Sequence, residues 1–197
     1  MLETNPNPNL DEILIRSARL MAHRGYHGTS MRDLAEVTGR SLSGLYHYFE
    51  GKEDLLYLIN KRGFSSLLDL AEDLRGAGFG PTRALKGLIN RHIGFFVDHL
   101  DEMRVMMFGT LELSKDRGRE INRLKEVYRQ NVQEIVQAYI AEARGSGLSE
   151  VELARKTYLL FGMMNWIFGW YSSGAHGTPE DLADDIFRTF TEGCAAG

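Results

Sequence analysis

Residues 29–52 read TSMRDLAEVTGRSLSGLYHYFEGK. Within this run Ser43, Gly44, His47 and Tyr48 bring together a hydroxyl, a bare backbone, an imidazole and a phenol, with no Lys, Glu or Asp among them. At about 100° per residue these four fall on one side of a helix. Such a face is small at its N-terminal end and aromatic at its C-terminal end. It can enter a nucleic-acid major groove without steric or charge conflict. The chemistry on offer is recognition by hydrogen bonds and ring contacts.

Two short helices must hold that face. Ser30 is an N-cap with Asp33 as its capping-box partner, opening a helix over residues 31–38 that buries Leu34, Ala35 and Val37. Gly39 supplies a turn. Ser41 caps a second helix, from residue 42 to about residue 49, with Leu42, Leu45 and Phe49 inward. Tyr46 lies nearly inward on the same wheel and is expected to bury its ring with the hydroxyl at the rim. A short helix, a Gly-containing turn and a second short helix form the helix-turn-helix pattern.

The run LYHYF followed by GKEDLL resembles the DNA-binding domain of the TetR/AcrR family of bacterial repressors. The resemblance covers residues 10–62; the remaining two-thirds match only in length and helix pattern. It implies that Arg32 reads a base, and an Arg can pair bidentately with guanine. It also implies that Ser30, Tyr46, Tyr48 and Lys52 grip phosphates while Ser41, Ser43, Gly44 and His47 face bases. Many relatives carry Lys or a polar residue where this chain has Leu42, so their operator sequence does not transfer.

The chain has 197 residues, 43% hydrophobic and 25% charged, with a formal net charge of −4. That is an ordinary soluble composition with length for a substantial core. Residues 1–63 hold equal numbers of Lys/Arg and Asp/Glu, so the remainder carries the whole excess. Nucleic-acid binding must therefore rest on placement of charge, with a small non-specific phosphate contribution. Cys194 is the single cysteine, which excludes an intrachain disulfide and fits a reducing cytoplasm. The start, MLETNPNPN, has no signal-peptide pattern. No apolar run reaches the roughly 18 residues that span a membrane.

Nine helices are expected, and no strand pattern or repeat, so the fold class is all-α. Residues 1–9 form a loose tail, although Asn9 with Glu12 reads as an N-cap pair opening helix one. Residues 10–62 make the helix-turn-helix domain, and residues 63–197 make a ligand-binding and dimerisation domain. A fourth helix runs past residue 62, with Gly63 as a weak point where it can bend. Pro81 opens helix five, Asp101 caps a short sixth helix to about residue 110, and residues 116–144 form the seventh. Ser149 with Glu152 caps an eighth to about residue 172, and Thr178 with Pro179 opens the ninth.

The eighth helix is apolar nearly all round and should bury more than one face. The resemblance implies a homodimer formed by the last two helices, with Leu159, Phe161, Gly162, Gly169, Ile186 and Phe190 at the contact. The MMNWIFGWY run is similar to the eighth helix of members that respond to acyl-CoA thioesters or fatty acids. A pocket among helices four to eight would be lined by Phe95, Phe96, Met103, Met106, Met107, Phe108, Tyr128, Met163, Trp166 and Trp170, with Arg91 and Arg104 meeting an anionic group. None of the six His residues sits near the cysteine in the sequence, and no catalytic or nucleotide-binding motif occurs. Neither an enzyme, nor a metal site, nor a cofactor is expected. The expected partners are pseudo-palindromic operator DNA, a small hydrophobic effector and a second copy, with no membrane. The alternatives are a multidrug-efflux repressor sensing aromatic compounds and a DNA-bound protein controlled by a protein partner.

Overall fold

The computed structural model describes residues 8–195, and side chains from Asn9 to Gly193. Of the expected tail of residues 1–9, residues 1–7 lie outside the described residues, as does the Cys194 side chain, whereas Pro8 and Asn9 are helical. Ten α-helices and two 3-10 segments occur among the described residues, with no strand. The helices are α1 (Pro8–Arg24), α2 (Met31–Thr38), α3 (Leu42–Tyr46), α4 (Lys52–Gly76), α5 (Pro81–Asp98), α6 (Leu100–Phe108), α7 (Lys115–Arg144), α8 (Glu150–Asn165), α9 (Ser173–His176) and α10 (Pro179–Ala195).

The expected eighth helix does not run to residue 172. Its α-helical part ends at Asn165, a 3-10 turn takes Trp166–Gly169, and α9 follows, so ten helices replace nine. The tightened turn buries Ile167, Phe168 and Tyr171 together. The Tyr171 hydroxyl donates to the Gly177 carbonyl at 2.9 Å, and the Ser172 N–H donates to Nδ1 of His176 at 3.1 Å.

Helix α1 begins at Pro8, two residues early, so Asn9 is not a cap; its carboxamide oxygen accepts from Arg40 at 3.0 Å instead. Likewise α6 begins at Leu100, and Asp101 sits in its first turn rather than capping it. The regular part of α3 ends at Tyr46, short of Phe49, because the Tyr48 N–H turns back to the Leu45 carbonyl at 2.9 Å.

Helix α4 carries Gly63 within its length. It is continuous, and Gly63 is buried where α6 comes close: a Cβ there would lie 2.2 Å from Sδ of Met106. The missing side chain lets the two helices approach.

The chain divides into two units. The first takes the residues up to Ser65 together with Leu100–Leu124. Its core packs Ile13, Leu14, Ala18 and Met21 of α1 against Leu34, Leu45, Phe49, Leu55, Leu56, Ile59 and Val105. At about 25 cal/mol per Å² of apolar surface, burial of this set dominates the unit's stability. The second unit takes Ser66–His99 and the residues from Lys125 onward. There α5 packs along α10 and against α8. Lys86 meets Asp184 at 3.0 Å, and Tyr139 meets the edge of Phe187.

Candidate nucleic-acid interface

The first unit presents the helix-turn-helix as the sequence predicts. The Ser30 N–H donates to Asp33 Oδ2 at 2.8 Å and the Asp33 N–H donates to Ser30 Oγ at 3.2 Å, a complete capping box. Those bonds, chiefly the one from the Ser30 hydroxyl, hold the Asp33 carboxyl below its ordinary range. Gly39 takes φ 65°, the left-handed conformation that favours glycine, and its N–H closes on the Ala35 and Glu36 carbonyls. Ser41 Oγ accepts from the Gly44 N–H at 3.0 Å and lies 3.0 Å from Ser43 Oγ.

The exposed surface of this pair collects Ser30, Arg32, Ser41, Ser43, Tyr46 and His47. Gly44 and Tyr48 are half-buried; the Tyr48 ring packs on the core edge and meets His47 edge-on. Two expectations fail here. Tyr46 is 53% exposed rather than buried, and Leu42 is 38% exposed rather than inward. Helix α3 is only five residues long, and Leu45 with Phe49 suffices to fill the space beneath it.

Lys52 is engaged within the chain rather than presented to solvent. Its Nζ donates to the Tyr26 carbonyl at 2.7 Å and to the Thr29 carbonyl at 2.9 Å, and stands 4.2 Å above the Tyr26 ring. Two main-chain carbonyls and a π-face hold the ammonium. The α1–α2 loop is thereby tied to the start of α4. That contact spans more than 20 residues and leaves no local trace in the sequence.

The second unit joins Tyr128, an expected pocket residue, to His92 and Asn165 in a polar set whose hydrogen bonds the sequence did not reveal. His92 is buried on α5, with Nδ1 2.7 Å from the Tyr128 hydroxyl and Nε2 3.1 Å from Oδ1 of Asn165. The carboxamide oxygen only accepts, so Nε2 carries the proton and Nδ1 accepts from Tyr128. Burial pushes the His92 pKa down to about 3 and raises that of Tyr128, so both groups are neutral. Phe96 stacks on His92, and Phe161 leans against both rings.

The expected pocket residues are divided between the two units. Phe96 and Tyr128 are buried in the second unit, with Phe95 and Met163 half-buried there. Met103, Arg104, Met107 and Phe108 lie on α6, in the first unit. Met103 is buried near Gly63. Met107, Phe108, Trp166 and Trp170 stand 45%, 62%, 58% and 45% exposed rather than lining an interior. Arg91 is at the surface, 3.8 Å from Asp73, and Arg104 lies 3.8 Å from Asp101.

The expected dimer residues also divide. Leu159 is 62% exposed, and Gly162 has open space around its Cβ position. With Val151 and Tyr158 they leave an apolar stripe on α8 that Trp166, the first residue of the 3-10 turn, extends. Gly169 is exposed. Ile186 and Phe190 are buried in this chain's own core, and Phe161 is half-buried against His92. No helix among the described residues is long and apolar enough to cross a membrane.

Two family models match the chain. The model described as bacterial regulatory proteins, tetR family, matches residues 13–58, and a tetracyclin repressor-like C-terminal domain matches residues 79–194. The HTH-type transcriptional repressor KstR2 of Rhodococcus jostii is 22% identical over 194 residues, covering 94% of this chain and 90% of that protein. A TetR-family transcriptional regulator from Bordetella parapertussis has the same fold, with TM-score 0.85, 24% identity and coverage of 94% and 95%. So does AibR in complex with isovaleryl coenzyme A and operator DNA, with TM-score 0.77, 24% identity and coverage of 92% and 97%.

Proposed function

The chain belongs to the TetR family of bacterial regulatory proteins, and from that premise we propose that it is a homodimeric cytoplasmic repressor released from its operator by an acyl-CoA or fatty acid. As a member of that family it is a helix-turn-helix transcriptional regulator and not an enzyme. The observation that carries the proposal is the capped α2–α3 pair, which exposes Arg32, Ser43 and His47 together.

Helix α3 enters a major groove, with Ser41, Ser43, Gly44 and His47 toward bases. Arg32 reads guanine from the start of α2, and Ser30, Tyr46 and Tyr48 meet phosphates. Two copies joined through the α8 stripe place their α3 helices about 34–36 Å apart on a pseudo-palindrome. The effector acts on the second unit, where apolar rings surround a neutral hydrogen-bonded His92–Tyr128 pair. That AibR, alike in fold, was solved with an acyl-CoA and operator DNA supports this ligand class.

The test is selection of operator from randomised duplexes with the purified protein. Release is then followed by fluorescence anisotropy against acyl-CoAs of increasing length. Release should depend on chain length, with free CoA inactive. Release by planar aromatic cations instead would move the protein to efflux control.

A further inference from the structure

Helix α7 contributes its first turns to the DNA-binding unit. There Nη2 of Arg117 meets Asp54 Oδ1 at 2.7 Å and Nη1 lies 3.7 Å from Glu53 Oε1. The Ser114 N–H donates to the same Glu53 oxygen at 2.8 Å, and the Asp54 carboxylate also accepts from the Glu50 N–H at 3.0 Å. Farther along, Lys61 bridges Glu120 and the Tyr57 hydroxyl at 3.0 and 3.1 Å. The Arg117 and Asp54 side chains are 28% and 17% exposed, so this pair is less screened than an ordinary surface bridge.

Lys52 adjoins this cluster in sequence, and its ammonium holds the Tyr26 and Thr29 carbonyls. Ser30, the N-cap of α2, is the next residue. Side-chain contacts at the first turn of α4, joined by the covalent steps Lys52–Glu53 and Thr29–Ser30, therefore link α7 to the end of α2 that carries Arg32. The charge of Glu53 also reaches Tyr26, where, after burial, it helps to raise the phenol's pKa.

We propose that Arg117 is a positioning residue for operator binding: by holding Asp54 and Glu53 it fixes the first turn of α4, and through Lys52 the α2 N-cap, in the DNA-competent placement. The proposal rests on the DNA-binding reading. It assigns to α7, a single helix from Lys115 to Arg144, a direct hold on the reading head. Arg117 itself touches no DNA.

The experiment compares full-length wild type with Arg117→Ala and Arg117→Lys on the selected duplex. Affinity, its salt dependence, thermal midpoint and amide hydrogen exchange are measured for each. For Arg117→Ala the expected result is a loss of affinity of about fivefold or more, with an unchanged salt slope. Amides of residues 29–33 should exchange faster, and Arg117→Lys should recover part of both changes. Should Arg117→Ala not fold, Asp54→Asn removes the same ion pair at constant size and is read identically. Wild-type affinity in the variant overturns the proposal, as does an affinity loss with unaltered exchange at residues 29–33. A salt slope lowered by about one would make Arg117 a phosphate contact and also overturn it. Failure of the wild type to select any duplex overturns the DNA-binding reading and this proposal together.

Discussion

The Tyr128 hydroxyl donates to Nδ1 of His92 at 2.7 Å, joining α7 to α5 through two neutral groups inside the second unit. Charging His92 there is costly, because the loss of hydration on burial outweighs the hydrogen bond to Asn165, which favours the charged form. In the unfolded chain His titrates near 6.5, whereas in the fold its pKa is about 3. Below pH 6.5 the unfolded state therefore binds the extra proton. The stabilisation is whole above that pH and is lost as pH falls toward 3, at up to about 1.4 kcal/mol per pH unit. Thermal melts between pH 7.5 and 4.5 should show a steeper decline for wild type than for His92→Gln. Parallel curves would remove His92 from the acid response.

Arg32 and Lys52 should behave differently on DNA. Arg32→Ala is expected to cost about 1–3 kcal/mol of operator affinity and to relax preference at one base position. Lys52→Ala should instead loosen the Tyr26–Thr29 loop, lowering the thermal midpoint and leaving the salt slope unchanged. Selection on randomised duplexes and titrations at several salt concentrations separate the two. A slope reduced by about one in Lys52→Ala would return Lys52 to the phosphate contacts.

The α8 stripe gives a clean test of association. Leu159 is 62% exposed, so Leu159→Asp should fold with nearly the wild-type thermal midpoint. Wild type is expected to sediment as a dimer at micromolar concentration and this variant as a monomer. Native protein sedimenting as a monomer would rule out the assembly.

Gly63 should resist enlargement. Its Cβ position lies 2.2 Å from Sδ of Met106, so Gly63→Val is expected to destabilise by about 1–3 kcal/mol through overpacking. Met106→Ala in the same chain should recover part of the loss. Additive effects in a urea-denaturation double-mutant cycle would show that the two positions do not interact.

The sequence by itself determined the local signals: Ser30 with Asp33, Gly39, Ser41 with Gly44, Pro81, and Ser149 with Glu152. Each of these is made within about one helical turn, so composition and spacing suffice to specify it. Family membership was legible for the same reason, since the reading head is a run of such turns. Tertiary structure decided everything whose partner is distant in the chain. Lys52 went to carbonyls 26 and 23 residues away, and Arg117 to Asp54, 63 residues away. Gly63 met Met106 of α6, and residues 166–169 tightened into a 3-10 turn with the Tyr171 hydroxyl on the Gly177 carbonyl. Tyr46 shows the limit most plainly. A helical wheel gives direction relative to an axis, but whether a direction is covered depends on which elements pack beside it, and beside α3 none covers that ring.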